Sequence, residues 1–242
     1  MTFSIVARCP DTGLLGVAVS SAVPAVGSMC PFVRANVGSI STQSWVNPYL
    51  AIRALNMMEA GASAQESLDT VLQADDARDL RQIGLVDSRG QAASWTGGAC
   101  TEWAGHIVGN GFAIQGNMLV SQGTVDAMEK AFMHAIHNDL SERLLCALEA
   151  GQLAGGDKRG RQSACLKVIA EEDYPLWDIR VDEHAHPVKE LRRVYNIAKL
   201  QLLPFIESMP KRIGPGTPAA ESVVRMLALS PPDRPGGGGS AK

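Results

Sequence analysis

The sequence predicts an α+β protein in which antiparallel sheets are covered by helices. Groups of segments in which apolar residues recur every second position, as in strands, alternate along the chain with groups that have helical spacing. Short turn signals such as Asp11-Thr12-Gly13 separate neighbouring strand segments, which favours hairpins. Apolar residues make up 45% of the 242 residues and charged residues 19%, enough for a substantial core. Groups of strands followed by groups of helices are typical of antiparallel layers.

The first half of the chain contains five segments with strand character. Two helices are expected between the third and fourth, and the second of them begins at Ser63, since Ser63 and Glu66 have the spacing of a capping box. The predicted strands are Thr2–Ala7, Leu14–Ser20, Val37–Thr42, Ile83–Val86 and Ala92–Trp95.

The second half adds three strands and three helices. The predicted strands are Gly111–Gln115, Gln162–Ile169 and Ile179–Val181. The first predicted helix has an apolar face from Met128 to Ala135, and the other two are Leu140–Ala150 and Val188–Leu203. Residues 204–242 are rich in Pro and Gly and end in PGGGGSAK, so they are expected to form a weakly ordered extension of a domain at 1–203.

Composition excludes several classes of function. The net charge is −3 without a basic cluster, which argues against nucleic-acid binding. No apolar run has the length of a membrane span, and the first residues lack the pattern of a signal peptide, so a cytoplasmic location is expected. The five cysteines show no C-x-x-C pair, which indicates reduced structural thiols.

Thr2 is the first candidate catalytic residue. Removal of Met1 would place a threonine hydroxyl beside a free α-amine, whose ordinary pKa of about 7.7–8.0 lets it act as a base near neutral pH. One residue would then supply both the nucleophile and the group that activates it. A core strand is predicted to start at Thr2 and would hold this terminus rigidly.

A polar cluster follows the third predicted strand. Gln43 and Asn47 could hydrogen-bond a small molecule, and Trp45 could form a wall of its pocket. Asn47 also stands before Pro48, the arrangement of a helix N-cap, so the two interpretations stay open together.

Two glycine-containing segments could complete a site. Gln115-Gly116-Asn117 offers backbone amides and an Asn side chain for an oxyanion hole, or forms a turn without chemistry. In the segment 155–163, Asp157 could anchor an α-ammonium and Arg159 a substrate carboxylate, or the two could pair with each other. Gln162 and Ser163 end this segment and join the expected substrate-binding residues.

Asp182, His184 and His186 alternate in a pattern that could hold a metal ion. Pro187 directly follows them, which favours a solvated helix entry instead. The sequence therefore predicts no metal site, and a metal-dependent hydrolase is kept as an alternative.

Together these residues resemble the bacterial and archaeal family called domain of unknown function 1028, which is grouped with the N-terminal-nucleophile hydrolases. The resemblance covers Thr2 to about Leu191. Cys9 stands where the family usually has an acid, and Asn36 where it commonly has Gly. The matching blocks include Thr2–Arg8, Gly16–Ser21, Ala25–Gly27, Thr42-Gln43, Trp45–Pro48, Gln115–Leu119, Gly155–Asp157, Arg159-Gly160, Gln162–Ala164, Asp178 and Arg180–Asp182 with His184.

The resemblance implies a four-layer αββα sandwich, with two antiparallel sheets between helices, and amide hydrolysis by Thr2 with no cofactor. It carries Asn117, Asp157 and Arg159 over as site residues. The expected substrate is a small linear amide or peptide-like compound, and homo-oligomer formation stays open. A binding or scaffold protein without turnover, on the same fold, is the first alternative.

Overall fold

The computed structural model describes residues 2–214 and 218–241. The chain divides into two compact units, with the boundary between Lys189 and Glu190. The sequence places its boundary after residue 203 instead.

Ten strands form two antiparallel sheets in the first unit. The six-stranded sheet has the order β10-β9-β2-β1-β8-β7, and the four-stranded sheet the order β3-β4-β5-β6. The strands are β1 Thr2–Arg8, β2 Leu15–Ser21, β3 Pro31–Arg34, β4 Gly38–Ser44, β5 Arg81–Asp87, β6 Ala92–Thr96, β7 Gly105–Gly109, β8 Phe112–Asn117, β9 Ser163–Ile169 and β10 Pro175–Val181.

Four helices cover the outer faces of these sheets. Helices α1 (Pro48–Glu59) and α2 (Ala64–Gln73) pack on the four-stranded sheet, and α3 (Gly123–His134) and α4 (Leu140–Leu153) pack on the six-stranded sheet. The inner faces of the sheets contact each other through β1, β4, β5 and β8. The layers are therefore αββα, as the resemblance implies.

Burial explains why apolar residues predominate in β1 and β2. All residues of β2, and all of β1 except Arg8, are buried, because helices cover one face and the second sheet the other. The local signals for α2 are confirmed as well. Ser63 Oγ accepts from the Glu66 N–H at 3.2 Å, and the Glu66 carboxylate accepts from the Ser63 N–H at 2.8 Å.

Two strands lack a clear signal in the sequence. Both β3 and β7 are edge strands and only partly buried, so they carry little apolar alternation. Their ladders are completed by pairing with β4 and β8. Between β3 and β4, Asn36 has φ 60°, the left-handed conformation that Gly and Asn adopt most readily. This explains how Asn can occupy a position where the resembling family commonly has Gly.

Helix α5 (Pro187–Gln201) runs across the unit boundary, and the second unit adds two helices, α6 (Leu203–Glu207) and α7 (Glu221–Ala228). The Gln201 amide donates to the carbonyl oxygens of Pro235 and Gly237, both at 2.9 Å. The segment that the sequence assigns to a weakly ordered extension thus contains helices and bonds to α5. Within the described residues, no helix has the length and apolar character that crossing a membrane requires.

Candidate active site at the start of the first strand

Thr2 is the first residue of β1, a strand in the interior of the six-stranded sheet. It lies opposite Ser21 of β2 on one side and opposite Asn117 of β8 on the other. The Thr2 side chain donates from Oγ1 to Ser21 Oγ at 3.2 Å, and the residue is 4% exposed. Pairing on both sides holds this residue far more tightly than a free chain end.

Gln43 fixes the main chain of Thr2 from the second sheet. Its Nε2 donates to the Thr2 carbonyl oxygen at 3.2 Å, to the Gln115 carbonyl oxygen at 3.3 Å and to Gln82 Oε1 at 2.8 Å. The side chains of Gln43 and Gln115 are both buried between the sheets. Gln43 therefore connects the two sheets behind Thr2, while the Gln115 side chain bonds to Ser4 of its own sheet.

The buried polar groups form a continuous network. Gln82 Oε1 also accepts from Asn117 Nδ2 at 2.8 Å, and Gln82 Nε2 donates to the Gly116 carbonyl oxygen at 2.8 Å. Ser4 Oγ donates to Gln43 Oε1 at 2.7 Å and accepts from Gln115 Nε2. Gln82 carries no motif, and its one sequence signal is a polar side chain inside an apolar strand.

Asp157 contacts the chain segments that follow β2 and β8. Its carboxylate is 1% exposed and accepts from the Ala22 N–H at 3.2 Å. Asp157 also forms a β-bridge with Leu119, two residues beyond Asn117. The chain segments after both neighbours of Thr2 are thus held by Asp157.

Arg159 pairs with Asp157, one of the two arrangements that the sequence leaves open. Its Nη2 donates to Asp157 Oδ2 at 3.1 Å and its Nε to Oδ1 at 3.3 Å. The Arg159 side chain is 41% exposed, so part of the guanidinium still faces solvent.

Ser163 and Gln162 hold the loop after β2. Ser163 is buried; its Oγ donates to the Val23 carbonyl oxygen at 2.6 Å and accepts from the Val26 N–H at 3.0 Å. The Gln162 N–H donates to the Ser21 carbonyl oxygen at 2.8 Å. These bonds fix the loop that follows Ser21, the neighbour of Thr2 on β2.

Trp45 and Asn47 lie just beyond the end of β4. Trp45 is 68% exposed, while Asn47 caps α1 by accepting from the Tyr49 N–H at 3.1 Å. Asn47 Nδ2 also donates to Asp75 Oδ2 at 3.0 Å. The Asn47 side chain is therefore used by the helix, and Trp45 is left as the exposed aromatic group near the ends of these strands.

Three non-glycine residues with left-handed backbone border the same end of the sandwich. Ala25 (φ 54°) lies in the loop after β2, Ser44 (φ 68°) ends β4, and Met118 (φ 50°) follows β8. Such conformations cost about 1–3 kcal/mol each and cluster at functional sites. They lie close to the strand ends that surround Thr2, which favours a functional site at this end of the sandwich.

The alternating residues Asp182, His184 and His186, whose sequence pattern could hold a metal ion, make other contacts. Asp182 accepts twice from Arg180 Nη2, and His184 Nδ1 accepts from the His186 N–H at 2.9 Å. Across residues 2–214 and 218–241, no group of three or more His, Cys, Asp or Glu is placed to hold a metal ion. All five cysteines are free thiols, and burial raises the pKa of Cys165 to about 12.

Comparison with solved structures finds a protein of Silicibacter pomeroyi assigned to the same family, DUF1028. It shares 27% identity over 87% of this chain and 95% of its own, with a TM-score of 0.79. Anbu (ancestral beta-subunit) from Yersinia bercovieri is 11% identical over 88% of this chain and 100% of its own, with a TM-score of 0.38. A Gly-1 mutant of Anbu from Hyphomicrobium sp. strain MC1 gives 10% identity, coverages of 86% and 100%, and a TM-score of 0.39.

No curated protein matches the chain. The model of one family, described as a family of unknown function, matches residues 2–191, which span the whole αββα sandwich. The chain therefore belongs to the DUF1028 family.

Proposed function

We propose that the protein is an amide hydrolase whose nucleophile is Thr2 Oγ1 after removal of Met1, which lies outside the described residues. The observation that carries the proposal is the fixation of Thr2 by Ser21, by pairing with Asn117 and by the Gln43 bond to its carbonyl oxygen. A reactive terminus must be held in one geometry, and this chain holds it from two strands and a second sheet.

The chemistry needs no group beyond the chain and water. The α-amine of Thr2 takes the hydroxyl proton through a water molecule, and Oγ1 attacks the substrate carbonyl carbon. The C–N bond then breaks, and the leaving nitrogen receives the proton. A second water molecule adds to the acyl ester, its O–C bond to Thr2 breaks, and the free acid leaves while Oγ1 regains a proton.

Each surrounding residue has a proposed role. One amide hydrogen of Asn117 is bound to Gln82, and the other would donate to the oxyanion. Asp157 places negative charge beside the α-ammonium form of Thr2 and fixes the Ser21–Ala22 segment through the Ala22 bond. Gln43 and Gln115 orient Thr2 from behind.

The outer residues would select the substrate. Arg159 keeps a solvent-facing part of its guanidinium for a substrate carboxylate, although its pairing with Asp157 reduces its freedom. Trp45 would contact an apolar part of the substrate, and Gln162 and Ser163 would shape the rim through the loop after β2. The substrate class is a small linear amide, with one that carries a carboxylate preferred.

The test compares four proteins by intact mass and by hydrolysis of short N-acyl amino acid p-nitroanilides, with and without a carboxylate. Active native protein should lack Met1, and kcat/KM should rise with pH through the pKa of the α-amine. Thr2→Ala should abolish turnover, Thr2→Ser should keep part of it, and a fixed N-terminal tag should remove it from a folded protein.

A matched control is Thr12→Ala. Thr12 lies in the turn between β1 and β2, at the opposite end of β1; its Oγ1 accepts a long 3.4 Å bond from the Leu14 N–H, and its side chain also hydrogen-bonds Cys9. This variant should turn over at the native rate. Native-rate turnover by the tagged or Thr2→Ala protein would refute the proposed mechanism.

A further inference from the structure

A cavity lies at the end of the sandwich opposite Thr2. Strand β1 runs from Thr2 to Arg8, which separates the two ends by about 20 Å. The cavity, here called the distal cavity, has a volume of about 570 Å³. Its walls are the turns around Asp11, Gly90 and Asn110 and the segment from Phe132 to Arg143 that joins α3 to α4.

Arg143 reaches this cavity from α4. The residue is 6% exposed, and its guanidinium carbon lies 4.0 Å from the centre of the Phe132 ring. Its Nε is buried without a hydrogen-bond partner among the residues that the structure describes. Buried polar groups in native proteins are nearly always paired, so an unpaired buried Nε indicates a missing acceptor.

The charges around Arg143 do not supply that acceptor. Asp11 attracts Arg143 electrostatically, but the two form no ion pair in the described part of the chain. Arg8 lines the same cavity and has no ion-pair partner among described residues either. Arg89 pairs with Asp87 at 3.5 Å. Two guanidinium groups that form no ion pair within the described residues therefore face one cavity, whose wall also holds Asp11 and Asp139.

Part of the wall is apolar, beside polar residues such as Asp11, Asn138 and Asp139. Met133 is 46% exposed and Ile136 51% exposed, although both are large apolar side chains. A guanidinium stacked on an aromatic ring keeps its N–H edge free for a planar, bidentate acceptor such as a carboxylate. The volume of about 570 Å³ lies within the range of small-molecule sites.

The geometry points to the distal cavity as a binding site for a small organic carboxylate with an apolar body, held by Arg143 and Arg8. The carboxylate occupies the N–H edge of Arg143, and its apolar body lies against Met133 and Ile136. This inference is independent of the proposed chemistry at Thr2, because no residue of one site belongs to the other.

Cys9 gives a local readout, since its thiol lines the distal cavity. Burial raises its pKa and hydrogen bonds from Thr12 and the turn backbone lower it, with a net shift downward that favours the reactive thiolate. Cys146, also partly buried, lies on α4, and its thiol donates to Glu142. It serves as an internal reference.

The experiment measures alkylation of both thiols by iodoacetamide, with peptide mass mapping, in the presence of benzoate, benzamide or inorganic phosphate. Benzoate should slow modification of Cys9 at least fivefold and leave Cys146 unchanged. Neutral benzamide should not protect, and phosphate should protect less than benzoate because it gains nothing from the apolar wall.

Variants assign the effect to Arg143. In Arg143→Met and Arg143→Lys, protection should require about tenfold more benzoate, since a charged bidentate bond is lost. Arg143→Lys keeps the charge and the stem over Phe132, which preserves the fold if Arg143→Met does not. Thr2→Ala should show native protection.

Four results would overturn the inference. They are no protection even at the highest soluble benzoate concentration, equal protection by benzamide or phosphate, native protection in both Arg143 variants, and equal slowing of Cys146.

Discussion

Replacement of Gln82 by Leu removes the centre of the buried amide network while keeping a similar volume. Gln82 forms five hydrogen bonds, to Gln43, Asn117, Thr96 and the carbonyl oxygens of Gly105 and Gly116, and is fully buried. Gln43 Nε2 keeps two other acceptors. Asn117 Nδ2 keeps none among the described residues, because its bond to Gln82 is the one that the structure gives it.

The loss therefore leaves the Asn117 amide and the strand carbonyls without this partner. An unsatisfied buried polar group costs about 1–3 kcal/mol. Three such groups at about 2 kcal/mol each, set against a gain of roughly 2–3 kcal/mol from burying Leu, lower the expected free energy of unfolding by about 3 kcal/mol. For a domain of this size that corresponds to a decrease of roughly 10 °C in Tm.

Urea denaturation followed by circular dichroism measures this change, with Gln65→Leu as the matched control. Gln65 is exposed on α2 and its amide bonds only to Asp69, at 2.8 Å, so its replacement should change stability by less than about 0.5 kcal/mol. If Gln82→Leu stays as stable as Gln65→Leu, the network contributes nothing and its role in fixing Thr2 is refuted.

Two further changes test the packing between the sheets and the acid stability. Gly84→Ala should cost about 3 kcal/mol in urea denaturation, because its Cβ would lie 1.9 Å from the buried Gln115 Oε1; native stability would show that Gln115 is not fixed there. Burial raises the pKa of Asp75, but bonds from Arg81 and Asn47 lower it more, so its folded pKa lies below the ordinary value. Such a group stabilises the fold above its unfolded pKa, and the contribution is lost as pH falls through the folded value. Asp75→Asn should therefore destabilise the protein by about 2 kcal/mol at pH 7 and make little difference near pH 2; a pH-independent difference would contradict this reasoning.

The elements with local signals could be predicted from the sequence. Strands β1 and β2 are buried on both faces and therefore rich in apolar residues, and the box at Ser63 and Glu66 places the start of α2 correctly. Edge strands β3 and β7 could not, because their pairing comes from the neighbouring strand and little of their surface is buried.

The candidate site divides in the same way. Thr2 and Asp157 stand in recognisable segments, whereas the position of Gln82 depends on β5 pairing with β4, which places it opposite Gln43. The sequence indicates that Asn47 could cap α1 and that Arg159 could pair with Asp157, but it could not decide between these contacts and a ligand-binding role. Arg143 belongs to no sequence motif, and only the structure shows that its buried Nε has no hydrogen-bond acceptor among the described residues.

The position of β1 also governs the order of folding. Its first neighbour, β2, follows directly, but its second neighbour, β8, brings Asn117 opposite Thr2 after 115 further residues. At the usual speed of translation, β1 waits roughly 6–23 s on the ribosome before β8 exists. Pairing over such separations raises the contact order and slows folding. Until β8 arrives, the β1–β2 hairpin has open edges. Variants of β8 that pair weakly should therefore lower the fraction of chains that fold during synthesis, with a smaller effect on the free energy of unfolding of the finished protein.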